Sequence, residues 1–295
     1  MSPDEVYDAL STMQSAWPGS FQVHLTGGEP FLKFPLLLYA TQIAVELNVP
    51  CYVETNAGWC LRDDLVADRF QQLKQAGLQA ILISCSPFHA VTIPPERTLR
   101  AIAIAGEVFG HRNVIVYQPE WLDLLVHFGT DRPTPLEAYA QTYGTERAGR
   151  FFWQGYGLIS GGRSGYKLGH LVERQPPESF RGERCYHEIL YAHHSHLDLY
   201  GNYISGFCGG LTAGDWHRLP KIIQDYERGI YPPLIKILID EGPYGLFNFA
   251  REGYAYQVLF DGYAGKCHLC VDVRAHLAIF GEFDELEPQE FYTSV

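Results

Sequence analysis

Basic residues are scarce in this chain: 22 Lys and Arg stand against 34 Asp and Glu, leaving a formal net charge of −12. A nucleic-acid groove needs clustered Lys and Arg to meet phosphate, so that class of partner is not expected. A locally basic pocket for one small anion remains open. Long apolar runs are missing too, and no stretch approaches the roughly 18 uninterrupted apolar residues of a membrane span. The N-terminus, Met1-Ser2-Pro3-Asp4-Glu5, is polar and acidic, unlike a secretory signal. A cytoplasmic protein with no membrane partner is the expectation. There is no low-complexity tract and no repeat beyond a β–α period. What is present, 46% hydrophobic and 19% charged residues over 295 positions, suits a globular chain of one or two domains.

Seven cysteines are unevenly placed: Cys51, Cys60 and Cys85 early, Cys185, Cys208, Cys267 and Cys270 late. In a reducing compartment, close cysteines bind metal or pack in cores more often than they form disulfides.

Five β-rich runs recur: Phe21 to Leu25, Pro50 to Glu54, Gln79 to Ser84, Asn113 to Tyr117 and Gly155 to Ile159. The first four are spaced by about 30 residues, the length of one β–α unit. Helices are expected over Pro3 to Ala16, with Ser2 as N-cap, and over Pro30 to Leu47, Arg62 to Ala76 and Pro95 to Phe109. The last should bury Leu99, Ile102 and Val108. Such alternation, with nearly continuous apolar strands, indicates an α/β fold with a parallel sheet and covering helices. Beyond a linker at Arg174 to Glu178 the period is lost. A hairpin turning at Gly201-Asn202 is expected, then helices over Trp216 to Arg228 and Pro232 to Glu252, then a solvated acidic tail.

Thr26-Gly27-Gly28-Glu29-Pro30 directly follows the first run and precedes a helix. Two glycines permit a sharp turn and close approach to a ligand; Glu29 offers an acceptor for an ammonium group, and Pro30 suits a first helical turn. A simple strand–helix turn uses the same residues. The wider context resembles the radical SAM (S-adenosylmethionine) family. His24 to Leu32 is similar to the family's GGEP segment, and Glu54-Thr55-Asn56-Ala57-Gly58 to its E-T-N-G. Ser84-Cys85-Ser86 ends the next run, and Gly161-Gly162-Arg163-Ser164 resembles a late G-R-A segment.

The resemblance covers residues 1 to about 165. It implies that Thr26, Gly27, Gly28, Glu29 and Pro30 meet the methionine end of SAM, Glu54 and Asn56 its ribose, and Ser84 its carboxylate, with Arg163 in the same set. The implied fold is an incomplete (β/α)6 barrel lacking its first strand, over residues 1–170. A small cysteine-rich α+β domain follows over 171–295.

The family's C-x-x-x-C-x-x-C, whose cluster cleaves SAM to a 5′-deoxyadenosyl radical, is absent from this sequence. Either the sequence begins after it or the cluster has been lost. Cys51, Cys60 and Cys85 are too widely spaced to replace it and read as core thiols. Without that segment SAM should bind weakly, on the order of 0.1–1 mM.

Cys267-His268-Leu269-Cys270 can bring two thiolates from one tight turn to one metal, and Cys185 and Cys208 can complete a set of four. In the family, SPASM- or Twitch-type extensions hold an auxiliary [4Fe–4S] cluster; four-cysteine Zn²⁺ is the alternative. Within His193-His194-Ser195-His196 at most His194 and His196 can converge, and a polar surface role, or support of neighbouring metal ligands, is expected for them. Asp198 and Asp215 are candidates to support the metal ligands. Asp272 and Arg274 could anchor the C-x-x-C turn or meet a substrate. The expected function is radical SAM-type chemistry on a small-molecule or peptide substrate. The alternative is a binding scaffold with structural zinc. The residues do not indicate an oligomeric state.

Overall fold

The computed structural model describes residues 1–19, 21–155 and 157–294. The chain divides into two compact units, Met1–Gly144 and Thr145–Val295.

In the first unit four strands pair in parallel in consecutive order: β1 (Val23–Leu25), β2 (Cys51–Thr55), β3 (Ala80–Ser84) and β4 (Val114–Tyr117). Each starts one or two residues later than its apolar run suggests. Val23 lies opposite Cys51, Val53 opposite Ile81 and Ile83 opposite Val116. Helices Phe34–Glu46, Asp63–Gln75 and Pro95–Phe109 pack on the face carrying Val53, Ile81 and Ile83. The alternate residues His24, Tyr52, Glu54, Leu82, Ile115 and Tyr117 belong to the other face, where Ile115 and Tyr117 are exposed.

Aromatic rings fill the centre of this core. Phe31 stacks on Trp59 with centroids 4.1 Å apart, and Phe70 meets Phe31, Trp59 and Phe109 edge-on. Helix Pro3–Ala16 opens with a capping box between Ser2 and Glu5 and lays Val6 and Leu10 against Ala40, Ile43 and Ala44. Helix Pro95–Phe109 has the expected bounds and an inner face centred one step away: Thr98, Ala101, Ile104, Ala105 and Phe109 are buried, Ile102 and Val108 are half-buried against the same core, and Leu99 is exposed. Small residues at 101, 105 and 106 let the helix backbone approach its neighbours, so the inward stripe follows size more than hydropathy.

The fifth expected strand is not found. Phe151–Gly155 is a wide helical turn and residues 157–159 pair with nothing as a strand; Tyr156 lies outside the described residues. The segment 145–170, grouped by sequence with the first domain, packs within the second unit. A Cβ on Gly149 would stand 2.3 Å from the Leu171 carbonyl oxygen. Ser160 Oγ accepts from the His268 N–H at 3.2 Å, and Tyr166 donates to Asp272 at 2.8 Å.

The second unit holds the hairpin expected at Gly201-Asn202: β5 (Ser195–Leu197) runs antiparallel to β6 (Asn202–Ser205), which pairs with β7 (Gly214–Asp215). The long expected helix is two, Pro233–Asp240 and Gly242–Tyr254. Gly242 breaks it, with φ +74° and a carbonyl of Glu183 lying 2.0 Å from where a Cβ would be. The acidic tail is not solvated throughout. Glu285 is buried and accepts from the Leu234 N–H at 2.7 Å, a carboxylate on a helix N-terminus, and Leu286 is 1% exposed.

Replacing Phe70 by Ala should destabilise the protein by about 3–5 kcal/mol, as for a fully buried aromatic whose site cannot collapse. Urea unfolding checks this, and a loss under about 1 kcal/mol would mean the aromatic cluster is not the core of the first unit.

Candidate functional site

The C-terminal ends of β1, β2 and β3 bring together most of the residues singled out in the first unit. The Thr26–Gly28 turn is exposed, with φ +96° at Gly27 and +33° at Gly28. Nothing lies within 4 Å of a Cβ built on either, so backbone conformation, not crowding, favours glycine there.

Glu29 is half-buried and already engaged. Its Oε1 accepts from the Phe31 N–H at 3.2 Å and from Thr55 Oγ1 at 2.9 Å, and its Oε2 accepts from the Asn56 N–H at 2.8 Å. Thr55 Oγ1 in turn accepts from the Ala57 N–H and Trp59 Nε1, both at 3.0 Å. Asn56 Oδ1 closes a turn on the Gly58 N–H at 2.8 Å. Glu29 thus fastens the turn after β1 to the end of β2, a bracing role added to the ammonium acceptor expected of it. Pro30 begins the short helical turn that Glu29 caps. Burial raises the Glu29 pKa, and its hydrogen bonds only partly oppose this.

Glu54 behaves in the opposite way. Burial works against its charge, but hydrogen bonds from His24 and Ser84 and the nearby His24 and His89 outweigh it and lower its pKa. His24 Nε2 lies 2.7 Å from Glu54 Oε2, while Ser84 Oγ donates to Oε1. Glu54, Ser84 and His24 are therefore one polar cluster across three strands. Arg163 is exposed at the start of helix Arg163–Leu168 in the second unit, so it is not a member of this cluster's own unit.

The second site is built from three separate segments. Cys185 caps helix Tyr186–Leu190, with its N–H donating to the Leu238 carbonyl at 3.0 Å. Cys208 follows β6 in the Gly206–Gly210 loop. Cys267 and Cys270 lie at the N-terminal end of helix Lys266–Ala278, one helical turn apart. Burial raises the thiols of Cys185, Cys208 and Cys267, the latter two to about 11 and about 12, and each feels others of the four as charged neighbours. The thiols thus lie close enough to influence one another, but among the described residues no three His, Cys, Asp or Glu groups converge as a metal site.

Two cations oppose the thiols. Lys266 pairs with Glu188 at 2.5 Å. Arg274, 2% exposed, donates to the Gly209 carbonyl at 2.9 Å and the Tyr292 hydroxyl at 3.2 Å and bonds Cys270. The sequence left Arg274 undecided. Its helical spacing of seven residues from Cys267 and four from Cys270, on one face, was the available signal. Asp272 instead anchors the helix, accepting from Tyr166 and Tyr256.

Asp198 and Asp215 do not support the thiols through any hydrogen bond. Asp198 accepts from the Tyr200 and Asn202 N–H groups in its own turn, and Asp215 from His217. Cys60 and Cys85 are buried and Cys51 half-buried, each with its thiol pushed up chiefly by burial, as core thiols are.

No protein-family model matches the chain, and no curated protein matches it. No helix among the described residues is long and apolar enough to cross a membrane.

The depressed Glu54 pKa has a signed consequence. Its folded pKa lies below the ordinary 4.5, so its contribution to stability is present above 4.5 and is lost as pH falls through the folded value. Glu54→Gln should therefore flatten the acid limb of the stability–pH curve below about 4.5. Thermal unfolding across that range tests this, and an unchanged acid limb would contradict the ionised cluster.

Proposed function

We propose that this chain is a radical SAM-type protein whose second unit holds an auxiliary [4Fe–4S] cluster on Cys185, Cys208, Cys267 and Cys270. What supports the reading is that one unit holds all four cysteines, with Cys267 and Cys270 on one helix face beside the buried guanidinium of Arg274. Burial keeps the thiols of Cys185, Cys208 and Cys267 protonated despite the nearby Lys266 and Arg274. A metal group would release those protons on binding. The donor set fits the group in chemistry, since four thiolates are what such a cluster takes. Arg274 would offset part of the negative charge that four thiolates bring.

The first unit's four consecutive parallel strands are read as a sector of a (β/α)6 barrel. Thr26 to Pro30, Glu54, Asn56 and Ser84 at its strand ends would receive SAM. Glu29 and Glu54 each have lone pairs left for a cationic ligand, so SAM would share these carboxylates with their internal donors. Radical chemistry on a small-molecule or peptide substrate would need, in addition, a SAM-cleaving cluster of the C-x-x-x-C-x-x-C type, which this sequence does not hold, so the residues present would account for SAM binding and not for its cleavage.

The second reading is a binding scaffold with a structural zinc on the same four cysteines. The engagement of Glu29 in bracing the turn favours it, since a turn so fastened needs no ligand to explain its residues.

Anaerobic reconstitution separates the two. About four iron atoms per chain and a broad absorbance near ~400 nm are expected, both lost in Cys267→Ala. One zinc and no iron under those conditions would overturn the cluster in favour of the scaffold. In the same preparation SAM should bind at about 0.1–1 mM and more weakly in Glu29→Ala; binding indifferent to that change would remove SAM from the proposal.

A further inference from the structure

His194 and His196 flank Ser195 at the start of β5, and two-residue alternation turns both rings to one side. Their Nε2 atoms lie 3.2 Å apart. Two imidazoles bound to one tetrahedral metal ion at ~2.0–2.1 Å each hold their nitrogens about 3.3 Å apart. The two rings already stand at the separation a shared ion requires.

The tautomer also suits a ligand. His196 Nδ1 is 3.0 Å from the Gly206 carbonyl oxygen, which can only accept, so Nδ1 carries the proton. In the neutral ring the lone pair is then on Nε2, facing His194. Metal-bound histidines characteristically donate their other ring N–H to a carbonyl or carboxylate in this way. His194 is stacked on Phe207, with centroids 5.3 Å apart and planes within 10°, and its carbonyl accepts the Gly206 N–H at 3.0 Å. Gly206 itself has φ +58°, and a Cβ there would stand 2.6 Å from the Glu188 carbonyl oxygen. One tightly placed loop thus holds both rings, and both are half-buried.

We propose that His194 and His196 form a two-histidine site for a borderline divalent transition metal such as Zn²⁺, Ni²⁺ or Cu²⁺, the ions that imidazole suits. The site is additional to the four cysteines and does not rest on the function proposed for them. Among the described residues no third His, Cys, Asp or Glu completes it. Water or a donor atom of an incoming ligand therefore fills the remaining positions, which makes this an open site. The same atoms without metal would be joined by an N–H···N bond from His194 to His196.

The test is calorimetric titration with Ni²⁺ of the full chain, after anaerobic equilibration with Zn²⁺ to occupy the thiols and removal of excess zinc. The expected result is one Ni²⁺ per chain that depends on both rings. His196→Asn is the decisive variant. Its amide nitrogen takes the place of Nδ1 and keeps the bond to Gly206, while Nε2 is gone. Loss of an outer partner alone weakens metal sites by about 10–100-fold, so loss of the ligand should weaken Ni²⁺ binding at least tenfold. His194→Ala should do the same, and His193→Ala should not. Absence of Ni²⁺ binding in the wild type, or binding unchanged in His196→Asn, would overturn the site.

Discussion

Arg274 lies in the core of the second unit with 2% of its surface exposed, and a buried guanidinium is tolerated only with hydrogen-bonding or anionic company. Supplying that company shapes the neighbouring segments. The Gly209 carbonyl and the Tyr292 hydroxyl receive its N–H groups, and Tyr292 in turn donates to the Gly210 carbonyl. Side chains are excluded at 209 and 210 because Phe291 is there: a Cβ on Gly210 would stand 2.3 Å from its ring. Near the C-terminus Glu285 and Leu286 are buried, and Phe291 and Tyr292 are half-buried. Since Cys267, Cys270 and Arg274 share a helix face, burying the cation also buries the thiols. The proposed metal group would let both charges be withdrawn from water together.

In the first unit, charge is handled by pairing carboxylates with local donors. Glu29 and Glu54 stand at adjacent strand ends, and each raises or lowers its pKa by a different balance of the same forces. Around Glu29, burial prevails over three hydrogen bonds, and Glu54 is itself a repelling neighbour. Around Glu54, His24 and Ser84 tip the balance toward the charged form. Two carboxyl groups with opposed shifts at one set of strand ends are a common sign of a binding or catalytic surface, although structural networks produce them as well.

Period and turn chemistry made the first unit legible. Four strands, three sheet-packing helices and the capped N-terminal helix follow from apolar spacing, Ser2-Glu5 and the Gly-Gly turn. Where reading by period failed, a specific residue explains it. The apolar run at Leu158-Ile159 imitates a strand but lies where the chain turns in to meet His268 and Asp272. Gly242 interrupts an otherwise continuous helical pattern because a carbonyl crowds it. Glu285 looks like surface charge until its helix N-terminus is located. The Cys267-x-x-Cys270 spacing fits a turn and a helical first turn equally well. The facing of His194 and His196 required only strand alternation, but the carbonyl that orients His196 is ten residues away and invisible to local pattern.

The proposed metal group requires all four cysteines to serve one bound centre. X-ray absorption at the metal edge of the anaerobically reconstituted His196→Asn protein, which lacks the proposed histidine site, reads that directly whichever metal is bound. The expected result is a first shell of sulfur alone, at about 2.3 Å, with no histidine scattering. A shell containing nitrogen or oxygen, or one unchanged by replacing Cys185 or Cys208 with Ser, would show that the thiols are core residues and not a single site.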